Sequence, residues 1–150
     1  MKFLVLLFSL FFSFTAFAEQ TKDSIYINQF KNQLNMCDVQ YKKQLTPQTD
    51  QQIITTNDQI TAVDEATDCY KKIASNIFDV FYPHTKEKMN QSLNNLIKLQ
   101  YDFYENIYQS SKYCQSNCGS IYVVISHTNV KNDVLNYISE TLNFIEMQNK

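Results

Sequence analysis

The stretch Val63–Val80, VDEATDCYKKIASNIFDV, decides how the chain folds. Its apolar side chains recur every three or four residues. These positions are Val63, Ala66, Tyr70, Ile73, Ile77 and Val80. This spacing puts them on one side of an α-helix and leaves the charged residues between them to the solvent. The pattern stops before Pro83, since proline disfavours the helical conformation of the residue that precedes it. The stretch therefore predicts a long amphipathic helix.

Three further segments show the same spacing. Their positions are Phe30, Leu34, Cys37 and Tyr41; Met89, Leu93, Leu96, Gln100, Phe103, Ile107 and Cys114; and Ile121, Ile125, Thr128, Leu135, Ile138, Leu142 and Ile145. One glycine and two prolines in 150 residues leave few places for the tight turns of an antiparallel sheet. The sequence predicts an all-α fold: a four-helix, mainly up-and-down bundle, with the fourth helix kinked around residues 127–129.

The predicted links between helices contain capping residues. Residues 55–58, TTND, offer four candidate N-caps for the second helix, and Thr85 is the expected N-cap of the third. Gly119 can adopt the left-handed conformation that ends a helix, and Ser120 can cap the next one. The single glycine is therefore expected to mark a helix stop followed directly by a helix start.

The first 18 residues, MKFLVLLFSLFFSFTAFA, have the features of a secretory signal peptide. One lysine precedes an apolar run, and Ala16-Phe17-Ala18 supplies the small-x-small cleavage pattern before Glu19. Residues 1–18 are thus predicted to be removed, and residues 19–150 to form a single helical domain with no stable membrane insertion. The expected location is periplasmic or secreted.

The charge of the predicted mature chain limits the classes of partner that it can bind. Removing Lys2 leaves 12 lysines, no arginine and 15 acidic residues, so the net charge is 12 − 15 = −3. An acidic chain is a poor match for nucleic acid or anionic lipid. It is compatible with a basic protein partner. The sequence indicates neither a cofactor nor an oligomeric state.

Four cysteines in an exported chain predict two disulfides. Cys37 and Cys69 lie about two turns before and about three turns after the polar link at 46–57, which puts them at similar heights on antiparallel helices. Cys114 and Cys118 would then form a local bridge if the end of the third helix unwinds. The two other pairings of the four cysteines stay open at this point. A metal site at Cys114, Cys118 and His127 is disfavoured, because exported thiols oxidise and a second close cysteine pair is missing.

The chain offers no pattern that predicts an enzyme. It lacks Gly-x-Ser-x-Gly and a phosphate-binding loop. Asp64, Glu65 and Asp68 are interpreted as the solvent face of the second helix, and His127 as a helix cap.

Tyr101, Tyr104 and Tyr108 recur along the third helix and allow two interpretations. The first is a broad core face whose hydroxyls reach the solvent. The second is a partner surface, because tyrosine is a common interface anchor. These tyrosines, with Gly119 and Ser120, are the candidate partner-binding residues.

The segment Leu96–Ser120 resembles the lysozyme inhibitor LprI family, small exported helical proteins of bacterial envelopes. The matching positions are Leu96, Gln100, Phe103, Cys114, Gly119 and Ser120, with a looser upstream match at Cys69, Asn76 and Tyr82. Phe103 stands where the family usually has tryptophan, and the arginine of the family's third helix and the cysteine of its last helix are absent. The resemblance implies that Cys118 takes the pairing role of the missing cysteine.

What the resemblance implies about function is binding and inhibition of lysozyme by occlusion. The alternative hypothesis is a structural or assembly factor of the envelope that does not contact lysozyme.

Overall fold

The computed structural model describes the backbone of residues 2–49, 52–110 and 121–149, and the side chains of residues 22–49, 52–107 and 121–149. These residues form four helices and no strand: α1 (Lys2–Gln44), α2 (Thr56–Phe81), α3 (Lys86–Ser110) and α4 (Ile121–Gln148). The all-α, four-helix prediction is confirmed.

Contacts between helices define two ends of the bundle. Near the α2–α3 turn, Lys86 of α3 pairs with Asp79 of α2. Farther along α3, Tyr101 reaches Asp64, so α2 and α3 run antiparallel. α2 packs against the three other helices, whereas α1 does not pack against α3 in the described residues. The C-terminal half of α1, the N-terminal half of α2, the C-terminal half of α3 and the N-terminal half of α4 therefore lie near the α1–α2 loop, at what we call the loop end.

The core forms around α2, whose apolar face is buried along nearly its whole length. The largest fully buried side chains are Tyr70, Phe78, Ile77, Ile138, Leu142, Val63, Val130 and Val134. Burying one side chain of the size of valine, leucine or phenylalanine contributes about 1.5–3 kcal/mol. These eight side chains divide equally between α2 and α4, so the seam between these two helices supplies much of the burial energy.

The predicted caps of α2 and α3 fit the observed helix bounds. Thr55 is the N-cap of α2 and forms a capping box with Asp58: the threonine side chain accepts from the Asp58 N–H, and the Asp58 carboxylate accepts from the Thr55 N–H. α2 ends at Phe81, ahead of Pro83, and α3 begins directly after Thr85.

One disulfide joins α1 to α2. Cys37 and Cys69 are bonded, with their Cα atoms 6.0 Å apart, within the usual range for such bridges. This pairing was predicted from the relative heights of the two residues and is confirmed. Cys114, Cys118, Gly119 and Ser120 lie outside the described residues, so the second bridge and the helix stop at the glycine stay predictions.

The predicted core face of α3 is wrong in its second half. Phe103 and Ile107 are 55% and 43% exposed, whereas Tyr101 and Tyr104 pack against the core. The reason is that Asp64 and Asp133 on the neighbouring helices accept hydrogen bonds from the two tyrosine hydroxyls, and phenylalanine has no such donor. Leu93 and Ile97 complete the buried face of this helix.

The predicted buried faces of α4 and α2 are also wrong at one position or more. In α4, Ile121 and Ile125 are exposed although they were predicted to face the core, and the buried positions begin at Ser126 and Val130. In α2, Val80 is exposed and Phe78 is buried instead. These errors lie near helix ends, where a neighbouring helix covers less of the surface.

Candidate functional site

A three-residue polar cluster links α2, α3 and α4 near the loop end. The Nδ1 atom of His127 lies 2.6 Å from the Asp64 Oδ1 atom. The Tyr101 hydroxyl donates to the same carboxylate oxygen at 3.4 Å, and the Tyr101 and His127 rings meet edge to face with centroids 4.9 Å apart. One carboxylate thus contacts side chains from two neighbouring helices.

The environment of Tyr101 suits it to donate hydrogen bonds. Burial, followed by the negative charge of Asp64 and the hydrogen bond to it, raises the pKa of Tyr101 to about 12. The phenol therefore keeps its proton at neutral pH. The cluster ties three helices together, and its tyrosine cannot act as a base under these conditions.

One prediction about this cluster is wrong. Asp64 keeps 46% of its side chain exposed, as expected for the outer face of α2, and it also contacts His127 across the bundle. His127 does not cap a helix, because α4 runs without interruption from Ile121 to Gln148. The signal that could have revealed the contact is the position of Asp64, next to the buried Val63 at the edge of the apolar face.

The other two tyrosines of the predicted partner surface are Tyr104 and Tyr108. The Tyr104 hydroxyl donates to the Asp133 Oδ2 atom at 3.5 Å, and its ring contacts that of Phe103 with centroids 5.4 Å apart. Tyr104 thus faces α4, as Tyr101 faces both α2 and α4. The side chain of Tyr108 lies outside the described residues. The structure therefore gathers two of the three tyrosines on the inner side of α3.

A strong excess of negative charge surrounds this cluster. In residues 56–70, 99–107 and 121–133, seven carboxylates stand against one lysine. The carboxylates are those of Asp58, Asp64, Glu65, Asp68, Asp102, Glu105 and Asp133. The lysine, Lys131, is only 6% exposed; Lys71, Lys72 and Lys98 border these ranges, and Lys71 pairs with Asp68 at 3.5 Å. We call this surface of α2, α3 and α4 the acidic end.

An apolar stripe runs along the outer side of α3 within the acidic end. Leu99, Phe103 and Ile107 recur at every fourth position, so they are neighbours on one face of the helix. They are 66%, 55% and 43% exposed, respectively. We call these three residues the α3 stripe. A row of large exposed apolar side chains is typical of an interaction surface.

A second polar cluster lies on the far side of the bundle, beside the disulfide. Asp38 accepts a hydrogen bond from the Tyr70 hydroxyl at 3.1 Å and pairs with Lys42 at 2.8 Å. The hydrogen bond from Lys42, together with that from Tyr70, lowers the pKa of Asp38 despite partial burial. Lys131 places its Nζ atom 4.1 Å from the centre of the Tyr41 ring. Burial lowers the pKa of Lys131. This cluster joins α1, α2 and α4 and explains how a lysine is accommodated in the interior.

A shallow cleft of about 320 Å³ runs along the disulfide. Besides the two cysteines and Ala66, its lining consists of Gln40, Tyr41, Gln44, Glu65, Asp68 and Lys72. Gln44 donates to Glu65 at 2.6 Å across the cleft, so these side chains already satisfy one another. No group of three or more metal-ligating side chains occurs in the described part of the chain.

Comparisons with other proteins give no match: no family model, curated protein or solved structure matches the chain. In the portion of the chain with described side chains, no helix has both the length and the apolar character needed to cross a membrane.

Proposed function

We propose that the protein is exported to the bacterial envelope, where it binds a basic partner protein and catalyses no reaction. The observation that carries this proposal is the acidic end, where six of the seven carboxylates lie on α2 and α3. Their charge is concentrated on one part of a chain whose overall net charge is small. Such a surface attracts a positively charged protein and speeds its association.

The leading candidate for the partner is lysozyme, which the protein would inhibit by occlusion. This part of the proposal rests on the resemblance of Leu96–Ser120 to the lysozyme inhibitor LprI family. Two of the residues that carry the resemblance, Gln100 and Phe103, are at least partly exposed on α3. The helix that carries the resemblance, α3, thus also carries two of the carboxylates of the acidic end, Asp102 and Glu105.

The proposed location agrees with the chemistry of the cysteines. The Cys37–Cys69 disulfide is stable in an oxidising compartment such as the periplasm or the extracellular space. Export would follow from the predicted signal peptide at residues 1–18. Under the same conditions we propose a second disulfide between Cys114 and Cys118, giving a bundle held by two bridges.

A lysozyme lysis assay with the purified exported chain tests the proposal. We expect inhibition at micromolar protein, weakened by added salt because screening reduces attraction between surface charges. The variant Asp102→Asn/Glu105→Gln should inhibit less well, whereas Glu140→Gln, a control on α4 toward its C-terminal end, should inhibit like the wild type.

Absence of inhibition across several lysozyme types would remove lysozyme as the partner. Affinity capture from envelope extracts then tests the proposed basic partner and the alternative function. Recovery of envelope proteins without a lysozyme would support the alternative of a structural or assembly factor. Capture that is insensitive to the charge of the acidic end would contradict the proposed basic partner.

A further inference from the structure

We propose that the α3 stripe is the apolar centre of the partner interface, and that it docks a basic amphipathic helix. Such a helix presents apolar side chains on one face, bordered by lysine or arginine. The inference rests on the proposed function for the basic character of the partner. It differs from the surface expected from the sequence, because it replaces the tyrosines by their outward-facing neighbours.

The burial pattern of α3 supports this choice. Tyr101 and Tyr104 are partly buried, and their hydroxyls contact Asp64, His127 and Asp133 of the neighbouring helices. They offer a partner less apolar surface than their outward-facing neighbours. Leu99 and Phe103 in contrast expose more than half of their surface. Their burial by a partner would release water from apolar surface without disturbing the fold.

The dimensions of the stripe fit a helical partner. From Leu99 to Ile107 the helix rises by eight residue steps, or about 12 Å. This length corresponds to a little more than two turns of a docked helix, which would present three or four apolar side chains. Recognition of one helix face by another through such spacing is a recurrent binding mode.

The charges next to the stripe select a basic helix. Asp102 lies one turn from Leu99, and Glu105 lies one turn farther along the same edge. Both acidic residues are exposed, and they outnumber the one lysine of this edge, Lys98, which lies one turn before Asp102. The helix that carries Lys42 and Lys43, α1, does not pack against α3 in the described residues. A partner with lysines beside its apolar face would therefore meet carboxylates, whereas an acidic or second identical α3 would meet repulsion.

Binding of synthetic helices to the exported chain tests the proposal. The probe is an amphipathic peptide of leucine and lysine of about 14 residues, long enough to form a helix. The control is the same peptide with glutamate in place of lysine. We expect the lysine peptide to bind and the glutamate peptide to fail, as measured by fluorescence anisotropy. Equal binding of both peptides would contradict the charge argument.

Substitutions in the chain locate the bound peptide. Phe103→Ser should weaken binding about tenfold or more, the expected consequence of losing one buried aromatic side chain. Leu99→Ser provides a second test on the same face. Met147→Ser is the matched control, because Met147 is 65% exposed but lies at the opposite end of α4. Circular dichroism should show that all three variants keep the helical content of the wild type.

The outcomes separate this inference from the proposed function. If Phe103→Ser binds as tightly as the wild type, or if Met147→Ser weakens binding equally, the stripe is not the docking surface. If the wild type and Phe103→Ser inhibit lysozyme equally, docking at the α3 stripe is refuted and the proposed inhibition is supported. If the peptide binds through the stripe but no lysozyme is inhibited, the proposed inhibition is refuted and the docking surface is supported. A dimer that Phe103→Ser converts to a monomer would overturn the proposal in favour of self-association.

Discussion

Removing the disulfide between Cys37 and Cys69 should destabilise the bundle strongly without changing its architecture. The bridge connects residues 32 apart in sequence and closes the long loop between α1 and α2. Without it the unfolded chain gains conformations that the bridged chain cannot reach. Cys37 is also buried in the core, so the double variant Cys37→Ala/Cys69→Ala avoids leaving a buried thiol without its partner.

The magnitude follows from the length of the loop. Closing a loop of this size lowers the entropy of the unfolded chain by about 12 cal/mol/K, which corresponds to about 3.7 kcal/mol at 25 °C. Typical domains are stable by about 5–15 kcal/mol, so this loss would be a large part of the total. With an m value of about 2 kcal/mol/M, the urea midpoint should fall by about 1.9 M.

Urea unfolding followed by circular dichroism measures the effect. Met36→Ala is the control, because Met36 lies beside Cys37 on α1 but is exposed, and its substitution should change stability by less than about 0.5 kcal/mol. A loss below about 1 kcal/mol for the double variant would refute the loop argument. Mass mapping of non-reduced peptides provides an independent check, and a peptide joining Cys69 to Cys114 or Cys118 would contradict the observed bridge.

Three further substitutions test single contacts by urea unfolding. Tyr70→Phe should cost about 1–2 kcal/mol, since its hydroxyl donates to Asp38. The pKa of Asp38 is lowered in the folded protein, so the loss of unfolding free energy caused by Tyr70→Phe should be complete above about pH 4. It should disappear as the pH falls through that lowered pKa. A loss that does not change at acid pH would contradict this hydrogen bond. Thr55→Ala should cost about 1 kcal/mol through loss of the N-cap, and Thr55→Ser should restore most of it. Lys131→Met should raise stability at pH 7 by about 1 kcal/mol, because it removes a buried charge. The folded state releases the Lys131 proton more readily than the unfolded state, so wild-type stability should gain as the pH rises toward 10 and the advantage of the variant should shrink. A destabilised Lys131→Met would show that the contact with Tyr41 outweighs the cost of burial.

The helices could be predicted from the sequence because each has a long apolar face with a clear period. The buried face of α2 from Val63 to Ile77 follows the predicted spacing, as does that of α1 from Phe30 to Cys37. The disulfide could be predicted as the favoured pairing because the link between these helices fixes the heights of its two cysteines. Local chemistry also sufficed for the start of α2, where the threonine and the aspartate three residues later form the capping box.

The polar contacts between helices could not be predicted in this way. Periodicity assigns a residue to the inside or the outside of its own helix, and it treats every charged residue as solvent-exposed. Asp64 is partly exposed, as this assumption requires, yet its carboxylate also contacts His127 on α4 and Tyr101 on α3, which are distant in sequence. Lys131 contradicts the assumption, since it is only 6% exposed and the Tyr41 ring on α1 accommodates its charge. Such partners become visible only when the packing of all helices is known.

The two sides of α3 show how these contacts bear on function. Phenylalanine and tyrosine are similar in size, so burial of apolar area alone does not determine which of them faces the core. The carboxylates of Asp64 and Asp133, which are only partly buried, favour tyrosine on this side because its hydroxyl can donate a hydrogen bond to each of them and phenylalanine cannot. Phe103 is thereby left 55% exposed, so about half of the energy that full burial of a phenylalanine contributes stays unused in the isolated chain. That unused energy, next to two exposed carboxylates, is what a basic amphipathic partner can recover on binding.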